Sequence, residues 1–573
     1  MKLLSDINHL LEKTDKREII IITIMLFFAG FFEAASIALV LPFISLLIDK
    51  EQIINFPYIK DYVPNISEYQ HETLIIFSLV IFLSFYFFKF FYLIFIVRYK
   101  NKILFSIRDK ISKRLFDSYL QRPYSFHLNE HTSKIILNCK SEVVVIMAMI
   151  FLPIVELFAE LLTVIFIATL IFIVEPIPSI ILVFTGGFLF FIYNFFTKKK
   201  SRVWSLERQV TDTISIKIIQ QTFSSIKLVI LYLKEKYFRD QYVDVVKKNT
   251  QVTLNQQFFL DIPKYFLELI ALVACLSVIF FIVLNDPNNL INALPLLALY
   301  MVAAFKLLPS LNRIILDIQK IRNGRAALDA VCGELKDGSK YLNENENEDV
   351  KKMSFNSKIN IKNLKFSYPG SLPLYNNLNL EIKKGEAIGI IGESGTGKST
   401  LANLLVGLAE ASDGEILVDN ISILKNKKGW YKILGYMPQS NFLMDDTVEN
   451  NIIFYDKLDK EHLNKIINQC QLLKLEQSLP NGLQTMIGEN GARLSGGQLQ
   501  RISLARTLYK KPEILILDEA TTSLDHDNQK KILNIIANLK DDKTIIIISH
   551  QVKNLSFCDK IYELKNEKIE VVQ

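Results

Sequence analysis

Cysteine is scarce and scattered. The 573 residues hold five, Cys139, Cys275, Cys332, Cys470 and Cys558, and no two form a CxxC pair. That argues against a disulfide framework or a zinc site, and free buried thiols are the better reading. Charge of one sign is also lacking. Lys and Arg number 66 against 59 Asp and Glu, with no basic aromatic motif, so no nucleic-acid partner is expected. The first apolar run, from Ile19, is too long for a signal-peptide core. No small-residue cleavage site follows it, and we read it as a retained span. Apolar residues, by contrast, are plentiful. They make up 50% of the chain, and the excess lies before residue 335. The length exceeds a single core, so several domains are expected.

A membrane-crossing helix needs about 20 mostly apolar residues. Six stretches meet this, near 19–48, 73–97, 143–174, 177–197, 265–284 and 290–312. Their connections differ in charge. Residues 49–72 carry only Lys50 and Lys60, and the turns at 175–176 and 285–289 carry no Lys or Arg. The connections after the second and fourth stretches are basic, with Arg98 to Arg114 in one and Lys198 to Arg208 in the other. The positive-inside rule puts these, and both termini, in the cytoplasm. Both long connections have a helical pattern and read as extensions of the spans. Their tips, near 123–137 and 222–236, are expected to meet a cytoplasmic domain. The outer stretch 50–70 reads as a loop or a short interfacial helix. Residues 336–352 are polar and aperiodic and read as a linker. The expected organisation is a membrane domain over 1–335, a linker over 336–355 and a second domain over 356–573. In that second part, strand-like runs at 358–366, 387–391, 514–518 and 544–548 alternate with helical stretches, an α/β pattern.

The run 387–391 leads into Gly392, Glu393, Ser394, Gly395, Thr396, Gly397, Lys398, Ser399 and Thr400, and a helical pattern follows from Leu401. A strand, the spacing GxxxxGKS and a helix together define a P-loop. Its backbone N–H groups cradle phosphates, Lys398 reaches the outer phosphates and Ser399 is placed for Mg²⁺. The apolar run Ile514 to Leu517 ends in Asp518, placed to hold Mg²⁺, and Glu519, placed to orient or deprotonate a water. Between them lies Leu494-Ser495-Gly496-Gly497-Gln498.

With LSGGQ between a P-loop and an Asp-Glu strand, the chain resembles an ABC transporter of the exporter type, a six-helix membrane domain fused to a P-loop ATPase domain. The resemblance covers nearly the full length. It implies that Tyr368 in FSYPG stacks on adenine, that Gln439 in MPQ links the Mg²⁺ site to the membrane domain, and that Asp525 in SLD is the D-loop residue. It implies that His550 in ISH contacts the γ-phosphate, and that Thr485 to Gly491 touches the coupling helices. Alone, Tyr368 or Gln439 would be an ordinary residue; in register with the other motifs each gains meaning. In this family the signature completes the site of the opposite subunit, through Ser495, Gly496, Gly497 and Gln498. One chain has one of each half, so a homodimer binding two ATP is the simplest expectation. Two positions depart from the usual pattern, Gln551 after the histidine and Leu499 after LSGGQ. Neither removes a group that touches phosphate.

Cations within the spans bear on the cargo. Lys89, Lys264, Lys306 and Arg313 fall at inner-leaflet depth, where an unpaired Lys or Arg costs about 2.5–3.5 kcal/mol on insertion scales. Such a ring would suit the phosphate of a lipid headgroup. The alternative is that they snorkel or pair with Glu33, Glu156, Glu160 or Glu268. The segments Glu33 to Phe43 and Lys306-Leu-Leu-Pro-Ser-Leu-Asn-Arg313 resemble those of PglK-type lipid-linked oligosaccharide flippases of the bacterial inner membrane. That resemblance implies an ATP-driven flippase of a membrane glycolipid. Export of a peptide, bacteriocin or drug-like amphiphile is the second reading, an ATP-gated channel or nucleotide sensor the third. Only a short polar segment precedes the first span, so the peptidase-bearing subtype of peptide exporter is not expected. Intact Glu519, His550 and LSGGQ disfavour the third reading. Fusion of the two domains disfavours an importer subunit, so no obligatory binding protein is expected.

Overall fold

The computed structural model describes residues 2–48, 70–174, 176–285, 294–341, 351–368, 370–520, 526–565 and 567–572. The stretch 50–70 therefore lies outside the described residues, except for Gln70. The chain forms two compact units, one of Met1–Arg122 with Asn129–Glu344, the other of Pro123–Leu128 with Asn345–Gln573.

The first unit is all helix. After α1 (Lys2–Leu10) come α2 (Lys13–Ala38) and α3 (Val40–Ile48), which together make the first apolar stretch. The start of α2 is set by a reciprocal cap between Glu12 and Asp15. The others are α4 (His71–Leu120), α6 (Thr132–Val174), α7 (Pro176–Ser224), α8 (Ile226–Leu231), α9 (Glu235–Asn285), α10 (Leu294–Asn323) and α11 (Arg325–Gly338), while the short α5 (Tyr124–Asn129), between α4 and α6 in the chain, groups with the second unit through Leu128. At 1.5 Å per residue, the 50 residues of α4 run about 75 Å, more than twice the ~30 Å hydrocarbon core. The same holds for α7 and α9. Their polar ends continue the spans, as their sequence pattern predicts. Helix pairs form between α2 and α6, α6 and α10, and α7 and α9. Ile37, Ile167, Ile171, Leu299, Ala303 and Leu307 make one apolar seam of this bundle. Outward residues of α4 such as Phe87, Phe91 and Phe95 are exposed, as lipid-facing side chains are.

Two π-helical stretches, Leu137–Glu142 and Met147–Phe151, interrupt α6 in its N-terminal half. There Glu142 is fully buried and takes both oxygens to Arg208 of α7, at 2.9 and 3.1 Å. Arg208 also bonds Asp212, which accepts from Asn249 of α9. One polar chain thus ties three helices where the wider turn of α6 brings its backbone out of register.

The stretch read as a linker begins differently. Helix α11 continues through Gly338, because Leu335 is buried and Lys336 pairs with the buried Asp6 of α1 at 2.9 Å. At the far end of the stretch, Met353 and Phe355 are buried in the core of the second unit.

The second unit is α/β. Strands β1 (Lys358–Phe366), β2 (Tyr375–Lys383), β4 (Asp413–Val418) and β5 (Ile421–Ser422) form an antiparallel sheet in the order β2-β1-β4-β5. The other sheet is parallel through β6 (Leu434–Met437), β7 (Ile514–Asp518), β8 (Thr544–Ile548), β3 (Ala387–Ile391) and β9 (Lys560–Lys565). Antiparallel β10 (Lys568–Val571) closes its edge. Strands β3, β7 and β8 are buried at every residue, which their unbroken apolar runs require. Their carboxyl ends lie side by side, the usual place for a ligand on such a sheet.

Candidate functional site

The loop after β3 leads into α12 (Lys398–Val406). Gly395 and Gly397 have φ of 87° and 99°, in the left-handed region that glycine enters freely. Gly397 is also crowded. An added Cβ would lie 2.6 Å from the Tyr375 hydroxyl, which itself donates to the Gly397 carbonyl. Lys398 folds back, its Nζ donating to the carbonyls of Gly392 and Glu393 at 2.9 and 2.7 Å. Burial lowers its pKa from the ordinary lysine value, opposed by Glu519 and Asp518. Tyr368 is 3.0 Å, hydroxyl to hydroxyl, from Thr400, and its exposed ring stands beside the loop. The arrangement leaves a ring of backbone donors at a helix N-terminus, with a lysine ammonium able to exchange two carbonyls for phosphate oxygens.

β7 delivers Asp518 and Glu519 beside this loop. Asp518 is buried and lies 3.4 Å from the Ser399 hydroxyl, with burial holding its carboxyl above the usual range. Glu519 has φ of 50° and is 7% exposed. Its Oε2 accepts from Gln439 Nε2 at 2.7 Å, and its Oε1 is 2.5 Å from His550 Nε2. His550 follows β8, whose last residue accepts from the Glu519 amide, so adjacent strands aim both groups at one point. Tyr368, the P-loop residues, Gln439, Asp518, Glu519 and His550 are thus brought together. Asp525 lies outside the described residues. Tyr375 carries no signal in the sequence alone; nothing there marks a tyrosine at a strand start as a support for a loop 22 residues on.

The signature begins a helix, α13 (Gly496–Tyr509). Ser495 is its N-cap, in a capping box with Gln498. Gln498 and Ser495 thereby bond each other, and the free N–H groups of the first turn point outward with the helix dipole. Thr485 to Gly491 forms a separate turn that pairs with Val448 through Thr485.

Oxygen donors suit Mg²⁺, which takes few protein ligands and keeps water and phosphate oxygens. The hydroxyl of Ser399, the carboxylate of Asp518 and the amide of Gln439 are such donors around one place. Among the described residues, no group of three or more His, Cys, Asp or Glu side chains is arranged to hold a metal ion by itself.

In the first unit the four sequence-predicted cations separate. Lys89 is 5% exposed, and its Nζ donates to Glu33 Oε2 at 2.5 Å and to Ser36 at 2.9 Å. It is turned inward and not open to a ligand. Lys306 reaches the other oxygen of Glu33 at 3.4 Å. Arg313 bonds Glu160 at 2.7 Å. Lys264 is exposed, and among the described residues neither Glu268 nor any other acid pairs with it.

A nucleotide-binding P-loop domain joined to a helical membrane bundle defines the class of the molecule. A family profile described as the ABC transporter transmembrane region matches residues 9–305, and one described as ABC transporter matches 375–522. The chain belongs to the ABC transporter family, as a multi-pass membrane protein with its α/β ATPase domain on the same chain. It is 29% identical to the ATP-dependent lipid A-core flippase of Saccharophagus degradans, over 67% of this chain and 64% of that one. It is 39% identical to an uncharacterized ABC transporter ATP-binding protein of Bacillus subtilis, over 37% of each, and 39% identical to the lipid A-core flippase of Pseudoalteromonas translucida, also over 37% of each. The chain thus matches less than two thirds of the length of these relatives. The structure of a bacterial Atm1-family ABC exporter with ATP bound superposes with a TM-score of 0.80, at 17% identity, over 97% of this chain and 94% of the other. That likeness is one of fold.

Proposed function

We propose that two copies of this chain form an ATP-driven exporter that moves a phosphate- or pyrophosphate-linked glycolipid from the cytoplasmic to the outer leaflet of a bacterial inner membrane, with the ATPase domains and termini in the cytoplasm. The observation that carries the cargo is the pair of partly exposed cations Lys306 and Arg313, two turns apart on one span at inner-leaflet depth. Two relatives named lipid A-core flippases support a lipid of this kind.

At the nucleotide site, Tyr368 stacks on adenine and the P-loop amides of residues 392–400 take the phosphates. Lys398 leaves the carbonyls of Gly392 and Glu393 for the outer phosphates. Ser399, Asp518 and Gln439 would hold Mg²⁺, which neutralises charge on the phosphates when bound. Water attacks the γ-phosphorus, its proton passes to the Glu519 carboxylate, and the bond to the bridging oxygen breaks to release ADP. Glu519 must first loosen from His550 and Gln439, and His550 then turns to the γ-phosphate. The second copy supplies its signature segment, Ser495 to Gln498, across the nucleotide. Binding closes the pair, hydrolysis reopens it, and the spans alternate their access.

The test is flipping in sealed proteoliposomes. A polyprenyl-pyrophosphate oligosaccharide is incorporated, and its exposure to an external sugar-modifying enzyme is followed with and without ATP, with Glu519→Gln as control. ATP-dependent exposure absent from the variant supports the reading. ATP turnover without translocation of any phosphate-linked lipid overturns the cargo and favours export of a peptide or amphiphile.

A further inference from the structure

The two open cations of α10 are each backed by an acid from another helix. Lys306 meets Glu33 of α2, and Arg313 meets Glu160 of α6. In both pairs the acid is the buried member. The side chains of Glu33 and Glu160 are 16% and 13% exposed, those of Lys306 and Arg313 43% and 65%. Cations held at the ends of buried carboxylates present their outer N–H groups away from the bundle.

The two pairs differ in how they can give way. Glu33 already holds Lys89 at 2.5 Å on its other oxygen, so Lys306, at 3.4 Å, is its second and looser partner. If Lys306 leaves, Glu33 keeps Lys89, and no buried charge is stranded. Arg313 gives Glu160 one N–H, from Nη1. A guanidinium has five, so Arg313 can keep Glu160 and still fork onto a second anion. Glu156 and Asp317 also act on Arg313, but each has its own cation, Lys100 and Lys320. Pro309 stands between Lys306 and Arg313, and lacks the N–H that would bond to the Phe305 carbonyl.

We propose that Glu33 and Glu160 are positioning residues which occupy Lys306 and Arg313 until phosphate oxygens arrive. Lys306 changes partner, and Arg313 bridges Glu160 to the phosphate. The inference rests on the glycolipid reading above and adds a sign to it. An acid that offsets the charge of the cation, whether displaced by the ligand or kept beside it, lowers the ligand's affinity, so neutralising that acid raises it. An acid that serves only the bundle does the reverse.

Glu160→Gln is the first variant, because Arg313 is exposed enough to lose its partner without stranding a buried charge. Wild type and variant are placed in nanodiscs. ATPase activity is titrated with a polyprenyl pyrophosphate, with a phosphate-free polyprenol and, in a further arm, with inorganic pyrophosphate. The concentration of lipid pyrophosphate giving half-maximal stimulation is expected to fall about two- to fivefold in the variant, the contribution of one partly exposed ion pair. Glu160→Asp should restore the wild-type value, and Arg313→Ala on the variant should abolish the gain. Stimulation by inorganic pyrophosphate alone would assign the pair to a soluble anion and overturn the lipid part. A wild type stimulated by the lipid, beside a variant of unchanged melting temperature whose half-saturation stays put or rises, overturns the inference and leaves the function standing. A wild type unmoved by any phosphate-bearing lipid removes both. Glu33→Gln is the second variant, read only if it melts with wild type, since it leaves Lys89 buried without its acid.

Discussion

Glu519→Gln separates catalysis from structure at one carboxylate. Glu519 is 93% removed from solvent by its 7% exposure, and among its partners are Gln439 at 2.7 Å and His550 at 2.5 Å. The introduced amide has the same shape. Its carbonyl can still accept from His550, while its NH₂ group faces the NH₂ of Gln439. One hydrogen bond is lost or must be remade by rotation, a cost of about 0.5–1.5 kcal/mol. The chemical loss is larger. An amide cannot take a proton, and a positioned general base contributes about 10²–10⁴-fold. At 1.36 kcal/mol per tenfold, that is about 2.7–5.4 kcal/mol of barrier. The P-loop side chains proposed to meet nucleotide, Lys398 and Ser399, keep their partners in the Gly392 and Glu393 carbonyls and Asp518. The expected result is a melting temperature close to wild type, retained ATP and phosphate release lower by at least about a hundredfold. Phosphate release, nucleotide retention and thermal unfolding are measured on one preparation. Release within about threefold of wild type, in a folded variant, would refute the role given to Glu519.

Other substitutions test the frame around the sites. Arg208→Met leaves Glu142 fully buried without its cation, at a cost of about 3–5 kcal/mol, and Arg208→Met with Glu142→Leu should recover most of it. Burial already raises the Glu142 pKa above the ordinary value. The stability tied to its protonated form is full below the unfolded pKa and is lost as pH rises through the folded one, so the single variant should melt lower relative to wild type at pH 8 than at pH near 5. Gly338→Ala places a Cβ 1.7 Å from the Ser118 hydroxyl and 3.0 Å from its Cβ, so it should destabilise by about 1–3 kcal/mol, and Ser118→Ala should relieve part of this in a thermal-melt comparison. Gly397→Ala meets both a φ of 99° and the Tyr375 hydroxyl; loss of binding of a fluorescent ATP analogue at concentrations that saturate wild type is expected, with the fold retained.

The membrane fold was legible because lipid imposes one rule: backbone polar groups must pair within the segment, so apolar runs of sufficient length become helices. Charge in the connections then separated turns from extensions, and α4, α7 and α9 run as long as that pattern implies. The parallel sheet was legible for a similar reason. β3, β7 and β8 are buried on both faces and stand out as apolar runs, while β2, β4 and β9 alternate or carry charge and do not. What one sequence could not mark were the contacts closed at long range. Tyr375 supports Gly397 from another sheet, and the two π-helical stretches of α6 depend on what packs beside them.

The intramembrane cations show the same limit most sharply. Depth follows from counting residues, so the sequence places all four at one level. Openness depends on which acid lies opposite, and that acid is on another helix. Lys89 and Lys306 are read alike from the chain, yet both reach Glu33, 56 and 273 residues away. One carboxylate cannot fully satisfy two ammonium groups. The inner one, with Ser36 as a further acceptor, takes the short bond, and the outer one is left at 3.4 Å with nearly half of its side chain exposed. A cation that is paired but not saturated is inexpensive to hold in the bilayer and still free to answer an arriving phosphate. That combination requires an excess of base over acid at one spot. Replacing Lys89 by Met should therefore tighten Lys306 onto Glu33 and weaken lipid stimulation of the ATPase, although Lys89 itself never faces the ligand. Stimulation that stays at the wild-type half-saturation in a folded Lys89→Met variant would show that Lys306 does not share its acid in this way.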